Sequence, residues 1–289
     1  MIRSIPILLS VVLLLPVAPL AQDARPLPDR ASFLAETRKH LRSNDLVLSQ
    51  YVFRQTDTRI SRDFAGRPEE TNVRVYDVYP AADPSLRYRR LMLENGVPPA
   101  DLDRKDREQA AKVKRWADQR AHEGVSDRAA RERKRAEAER HEAALVDEVL
   151  ALYRITMTGR EWIAGRPAIA FTLDPRPEYR GKLDEVEIIR KFKGRAWIDE
   201  ADHELARLEM KVAEPVSIGL GIIARLYVGS HATIERGKAD GETWLPTRSH
   251  FVGTGRILLI RRLDIDLLSA YSDFKRITAD TATSSTLPK

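Results

Sequence analysis

A hairpin in the second half of the chain decides the fold: it reads KFKGRAWID at residues 191–199 and, after a polar turn, ARLEMKV at residues 206–212. Apolar and charged side chains alternate along both halves. Alternation with a period of two predicts paired antiparallel strands with one apolar and one solvated face. The side chains assigned to the apolar face are Phe192, Ala196, Ile198, Ala206, Leu208, Met210 and Val212. The function therefore depends on what covers this apolar face.

Strand patterns continue on both sides of the hairpin as β-branched and aromatic runs separated by turn signals. Upstream, the sequence predicts strands at residues 46–60, 72–79, 86–93, 155–163 and 168–173. Downstream, it predicts strands at residues 224–236, 242–253, 257–262 and 263–274. With the hairpin, these make about eleven strands, so we predict a mainly β fold with α (α+β), in which a large curved antiparallel sheet or incomplete barrel predominates.

The Asp240-Gly241 dipeptide predicts a two-residue turn, which sets a register for the strands on either side. In that register His231 and His250 lie directly opposite each other. Two opposed histidines could bind a transition metal or titrate together at about pH 6. Arg248 alongside disfavours a cation, so packing of the two rings is the preferred interpretation. The register places these side chains on the apolar face: Leu226, Val228, Ala232, Ile234, Leu245 and Phe251.

Two helical regions accompany the strands. Asp29 is a suitable N-cap for an amphipathic helix that ends near residue 43. Residues 101–152 are rich in interspersed acids and bases, and they predict an inserted pair of helices broken near Gly124. Because most of the pair lacks a wide apolar face, we expect an arm with its base on the sheet and its tip in solvent. A basic clamp for an anionic polymer is the alternative, but the opposite charges nearly cancel.

The ends of the chain predict processing and export. Residues 1–21 combine an early arginine, a short apolar run and a small-residue exit, which is the pattern of a signal peptide. The alternative is an uncleaved membrane anchor. We predict a linker at residues 22–28, one domain at residues 29–277 and a disordered tail at residues 278–289. The expected location is the periplasm, without a lipid anchor because no cysteine follows the signal.

Composition narrows the chemistry. The chain contains no cysteine, which excludes disulfides, thiolate catalysis and cysteine-based metal sites. The formal net charge is +6, and for an exported protein a basic surface suits anionic lipid headgroups, cell-wall polymers or an acidic protein better than nucleic acid. Peripheral membrane contact is therefore one interpretation of the charge. Ordinary solubility is the other.

Sequence motifs of catalysis and metal binding are absent. The sequence has no Gly-x-Ser-x-Gly elbow, Walker loop or complete dinucleotide-binding fingerprint. The turn at Asp199, Glu200 and Asp202 is acidic, but it lacks the glycine and the distal glutamate of a calcium loop, so an ordinary turn is expected. We predict no enzyme activity, no cofactor and no metal.

The pattern GRAWID at residues 194–199, followed by ELARLEM at residues 204–210, resembles the mid-sheet hairpin of the LolA/LolB-like superfamily of periplasmic lipoprotein carriers. The later stretches TWLP at residues 243–246 and YSDF at residues 271–274 resemble its closing strands. The group also includes sigma-regulator relatives of the MucB/RseB class. The resemblance implies an incomplete barrel whose apolar concave side is closed by helices and binds the acyl chains of lipoproteins.

Carried over to this chain, the resemblance implies a cavity lined by Phe192, Ile198, Leu208, Met210, Val228 and Phe251. Exposure of a lipid tail to water costs about 0.8 kcal/mol per CH₂. A carrier therefore needs a cavity of suitable shape and apolarity rather than catalytic groups. We therefore predict a periplasmic protein that holds lipid or lipoprotein acyl chains, with a role in lipoprotein sorting. The alternative is a non-catalytic envelope-sensing module with a filled core and a protein partner. The charged helical pair is a departure from the simple carriers.

Overall fold

In the computed structural model, the described residues are 25–41, 44–62, 67–81, 86–218, 224–239, 241–257 and 261–277. The predicted signal peptide, the first part of the predicted linker and the predicted C-terminal tail lie outside these ranges. The helices are α1 (Arg30–His40), α2 (Asn44–Leu48), α3 (Leu102–Ala121), α4 (Val125–Leu152) and α5 (Asp184–Ile189).

The strands form one open antiparallel sheet. They are β1 (Tyr51–Arg62), β2 (Pro68–Tyr79), β3 (Tyr88–Glu94), β4 (Tyr153–Ile163), β5 (Arg166–Pro175), β6 (Phe192–Asp199), β7 (Leu205–Val212), β8 (Val216–Ile218), β9 (Ala224–Leu226), β10 (His231–Lys238), β11 (Trp244–Ile257) and β12 (Arg261–Arg276). The order is β3-β2-β1-β12-β11-β10-β7-β6-β5-β4, and the β8–β9 hairpin joins the end of β11. The predicted fold class, a large open antiparallel sheet with a few helices, is confirmed.

The register assigns every strand residue to one of two faces. Ile198, Phe171 and Phe251 lie on the face that we call the front face, and Trp197 and its in-register partners lie on the back face. The close approach of β6 and β7 requires glycine at position 194 on the front face. A Cβ at Gly194 would lie 2.0 Å from the carbonyl oxygen of Glu209, so only glycine fits there.

Three groups of helical residues cover parts of the front face. In α1, Phe33 packs with Ile169, Phe171 and Ile198. At one end of the sheet, α2 packs through Leu48, and its cluster also contains Tyr51, Phe53, Val78 and Leu245. At the other end, Leu152 of α4 and Val186 of α5 form a cluster with Tyr153. The first turn of α1 is fixed by Asp29, whose carboxylate accepts a hydrogen bond from the Ser32 amide at 2.9 Å.

The predicted charged arm is a pair of long helices attached at its base. Asp106 of α3 accepts hydrogen bonds from Arg90 and Tyr88 of β3. Near the other end of the pair, Leu152 of α4 is fully buried. Where the helices meet, Glu123 is paired with arginines of both. α3 has no buried residue, as expected for an arm that stands away from the core.

Three details of the predicted elements are wrong. Residues 46–48, expected in a strand, belong to α2, because Leu48 turns into the cluster beside Tyr51. Residues 242–262, expected as two strands, contain one continuous strand to Ile257 and the start of β12. The short helix α5 lies between β5 and β6, where no helix was predicted. After Val212 the chain forms β8, which pairs with β9, and residues 219–223 lie outside the described ranges.

Candidate functional site: an apolar strip on the front face

Four strands in the middle of the sheet bring apolar side chains together on the front face. Leu208 of β7 pairs with Ile234 of β10. Phe251 of β11 pairs with Leu267 of β12, and on its other side with Ala232 of β10. Side chains at opposed positions lie about 5 Å apart, and Ile234 and Phe251 are diagonal neighbours about 7–8 Å apart, so the four residues form an oblique apolar surface. We call Leu208, Ile234, Phe251 and Leu267 the apolar strip.

The apolar strip lies between the helix-covered parts of the sheet. Its four side chains are half-buried. Within the described ranges, none of them belongs to the clusters that the helices form with the sheet. The neighbouring Met210 does belong to the cluster of α4 and α5, so the strip begins where that helical cover ends. A Cβ at Gly253 would lie 2.7 Å from Cζ of Phe251, which shows that the phenyl ring leans along β11 over this glycine.

A polar cluster borders the strip on the β12 and β1 side. Ser269, two residues beyond Leu267 on the same face, donates a hydrogen bond to Asp57 at 2.6 Å. Arg89 of β3 donates to the other oxygen of that carboxylate at 2.8 Å. Beside Ser269, the hydroxyl groups of Ser249 of β11 and Tyr271 of β12 lie 3.2 Å apart. The front face therefore changes from apolar to polar within one strand, an arrangement that suits an amphiphilic ligand.

The six predicted lining residues have different surroundings. Phe192, Leu208, Met210 and Phe251 are half-buried on the front face. Ile198 is buried at 4% exposure beneath Phe33, where it is not accessible to a ligand while α1 is docked. Val228 lies in the turn before β10 and is 57% exposed. Of the six, Leu208 and Phe251 belong to the apolar strip, and the ligand-binding role of all six stays a prediction.

Two members of the strip were not among the predicted lining residues. Ile234 had been placed on the apolar face from the alternation of β10, but it was not singled out. Leu267 lies in the run LDIDLLSA at residues 263–270, where Leu263, Ile265 and Leu267 alternate with Asp264 and Asp266. The pairing with Phe251 assigns Leu267 to the front face. The signal that could have found both residues is alternation with a period of two.

The predicted pairing of His231 with His250 is wrong. His231 pairs with Val252, and His250 pairs with Thr233. A two-residue turn does not form, because β10 ends at Lys238 and β11 begins at Trp244, and the register also shifts between Glu235 and Arg236. The two rings are diagonal neighbours with centroids 6.4 Å apart on the back face.

His250 is bound instead to a carboxylate. Its Nε2 lies 2.8 Å from Asp266, which also forms an ion pair with Arg62. Burial favours the neutral form of Asp266, but the hydrogen bonds from His250 and Arg62 outweigh it and lower the pKa of this carboxyl. Among the described residues, no group of three or more potential ligands could hold a metal ion.

The acidic turn has a structural role. Asp199 is 1% exposed and accepts hydrogen bonds from Arg166 and from the backbone amides of Ala201 and Asp202. Arg166 also binds Asp202 at 2.8 Å. The carboxylates are thus already paired with a cation and with backbone donors, which explains the tight turn between β6 and β7.

The best-defined depressions in the described part of the chain lie away from the strip. One, of about 360 Å³, is lined by Tyr88 and by residues of α3. The other, of about 440 Å³, lies at the end of β11 and is lined by Tyr227, Thr254, Gly255, Arg256 and Arg262. The apolar strip is an open surface that neither depression includes. No helix among the described residues is both long and apolar enough to cross a membrane.

No protein-family model and no curated relative matches this chain. Among solved structures, the chain is similar to a LolA superfamily protein from Nitrosomonas europaea, with 10% identity over 87% of this chain and 95% of that one and a TM-score of 0.28. It is also similar to a DUF1329 family protein from Desulfovibrio piger, with 11% identity over 86% and 93% of the two chains and a TM-score of 0.30.

A third similar structure is MucB in complex with MucA(peri), with 10% identity over 87% of this chain and the whole of that chain and a TM-score of 0.23. A LolA superfamily protein thus stands among the solved structures to which this chain is similar, at low identity. The function has to be argued from the side chains of this protein.

Proposed function

We propose that this protein is an exported, non-catalytic binding protein that holds the acyl chain of a lipid or lipoprotein against the apolar strip. The observation that carries the proposal is the set of half-buried apolar side chains on four adjacent strands between the parts of the sheet that helices cover. A soluble protein seldom leaves a continuous apolar surface of this kind without a ligand or partner.

The size of the strip suits a chain-like ligand. Neighbouring strands are about 4.8 Å apart, so the row from β7 to β12 is about 14 Å across. An acyl chain laid obliquely across these four strands would contact each of the four side chains of the apolar strip in turn. Each methylene group removed from water contributes about 0.8 kcal/mol, so a bound chain of about ten methylenes contributes up to about 8 kcal/mol against the cost of association.

The polar cluster beside the strip gives such a ligand an orientation. A headgroup placed over Ser249 and Tyr271, which are half-buried, would find hydroxyl groups, and the hydrogen-bonded pair of Arg89 and Asp57 forms a charged border beside them. On the β7 side of the strip, the acyl chain would meet Met210 and the apolar cluster of α4 and α5. We infer that the tail points toward β7 and the headgroup toward β1.

Two adjacent leucines of β12 supply the test. Leu267 belongs to the strip, whereas Leu268 pairs with His250 on the back face, and both are half-buried. A fluorescent fatty-acid probe is titrated into the wild-type protein and the variants Leu267→Asn and Leu268→Asn. The proposal predicts saturable binding that Leu267→Asn weakens by about 30-fold or more, while Leu268→Asn changes it by less than about threefold.

The fold change follows from two losses at position 267. The leucine contacts with the ligand are removed, and an amide group is buried against the acyl chain, which together cost about 2 kcal/mol. Equal affinities for the two variants would contradict the proposal, as would a wild-type protein that does not bind the probe. Thermal unfolding of both variants shows whether either has lost its fold.

A further inference from the structure

A row of arginines crosses three adjacent strands at one end of the back face. Arg225 of β9 pairs directly with Arg256 of β11, and Arg256 pairs on its other side with Arg262 of β12. All three side chains are exposed. Ser217 of β8 continues the row beyond Arg225 and carries no charge. We call Arg225, Arg256 and Arg262 the arginine row.

The arginine row is not explained by folding. Like charges at directly opposed positions of a sheet destabilise it. Arg262 donates a hydrogen bond to Asp264 at 3.2 Å. Within the described ranges, neither Arg225 nor Arg256 has an ion-pair or hydrogen-bond partner for its side chain. Elsewhere in the sheet, exposed arginines such as Arg54 and Arg74 are paired with carboxylates.

The row borders the depression of about 440 Å³ at the end of β11. Arg256 and Arg262 line it together with Tyr227 and Thr254. Guanidinium and hydroxyl groups are the donors that bind the oxygen atoms of a phosphate group. The chemistry of the ligand is therefore anionic.

The extent of the row distinguishes a lipid surface from a dissolved anion. Neighbouring strands are about 4.8 Å apart, so the row from β9 to β12 spans about 10 Å. Arg225 is not among the residues that line the depression, so the row extends beyond it. Cations spread over this distance favour a surface that presents several phosphate groups over a single dissolved phosphate.

We propose that the arginine row is a docking site for the phosphate groups of an anionic phospholipid surface. This site is separate from the apolar strip, since it lies on the back face, and it does not depend on acyl-chain binding. It would bring the end of β11 and β12 to the membrane.

The test is binding of the full chain to vesicles. Phosphatidylcholine vesicles with and without phosphatidylglycerol are mixed with the protein, and the bound fraction is measured by flotation. The wild-type protein is expected to bind only the anionic vesicles, and added salt is expected to weaken binding. The variant with Arg225→Gln, Arg256→Gln and Arg262→Gln is expected to lose about 100-fold in partitioning, since each basic residue at such a surface contributes about a fivefold effect.

A second variant removes the same charge elsewhere. Arg128, Arg133 and Arg140 are exposed on α4, and their replacement by Gln changes the net charge equally. This control is expected to bind anionic vesicles like the wild-type protein. Equal losses in the two triple variants would reduce the effect to net charge and overturn the proposal.

Two other results would also contradict docking. One is equal binding of the wild-type protein to neutral and anionic vesicles, and the other is binding to inorganic phosphate without any binding to vesicles. Removal of the arginine row should leave the melting temperature unchanged or higher, because a repulsion is lost. A large fall in melting temperature would show that the row serves the fold instead.

Discussion

Replacement of Phe33 by alanine should release α1 from the sheet. Phe33 is 2% exposed and lies in one cluster with Ile169, Phe171 and Ile198. Its ring is 6.0 Å from that of Phe171 and 4.8 Å from that of His203. In α1, whose described residues include only one other buried side chain, this contact is the main apolar attachment.

The magnitude follows from the burial of the ring. A buried phenylalanine contributes about 3–5 kcal/mol relative to alanine, and this includes the ring contacts. An 11-residue helix is marginal in water by itself, so α1 should unfold when it leaves the sheet. If the free energy of local opening falls by about 3–5 kcal/mol, amide exchange in α1 becomes faster by about 100-fold or more, because about 1.4 kcal/mol corresponds to a factor of ten.

Hydrogen exchange measured by mass spectrometry is the assay, with Arg38→Ala as the control. Arg38 lies on the same helix and pairs with Asp147, but both side chains are more than half exposed. An exposed ion pair of this kind contributes at most about 1 kcal/mol. If Phe33→Ala accelerates exchange in α1 no more than Arg38→Ala does, the attachment of α1 through Phe33 is refuted.

Two further predictions concern stability. The pKa of Asp106 is lowered by its hydrogen bond from Arg90, against the effect of burial and with help from Tyr88. Its contribution is therefore present above the unfolded-state value of about 3.9 and is lost as pH falls through the lower folded-state pKa. Asp106→Asn should cost about 2 kcal/mol in urea unfolding at pH 7 and less at pH 3, and a pH-independent difference would contradict this assignment. Gly194→Ala should cost about 1–3 kcal/mol because its Cβ meets a backbone oxygen, whereas Gly237→Ala, whose nearest neighbour would be 3.5 Å away, should cost far less, and similar melting temperatures would refute the close approach.

The alternation of side chains made much of the sheet predictable. Residues 191–199 and 206–212 alternate cleanly, and they form β6 and β7 with Leu208 and Met210 on the front face. Predictions failed where the pattern is short or continuous. Leu46, Val47 and Leu48 are as compatible with a strand as with a helix, and the packing of Leu48 beside Tyr51 decides between them.

The candidate site was only partly predictable, because it depends on register rather than on composition. The register of β10 and β11 shifts at Arg236 and Pro246, and no local signal at Asp240-Gly241 reveals this. The position of α1 over Ile198 could not be deduced either, since nothing in the sequence assigns Phe33 to one part of the apolar face. The arginine row appears only when Arg225, Arg256 and Arg262 are brought together from separate strands.

The most direct test of acyl-chain binding is photo-cross-linking with a fatty acid that carries a diazirine in its chain. The reacted residues are mapped by mass spectrometry of peptides from the full chain. Our account predicts labelling of Ile234, Phe251 and Leu267, and little labelling of their back-face neighbours Thr233 and Leu268. Labelling confined to the back face would contradict this account. So would labelling that an excess of unlabelled fatty acid does not suppress.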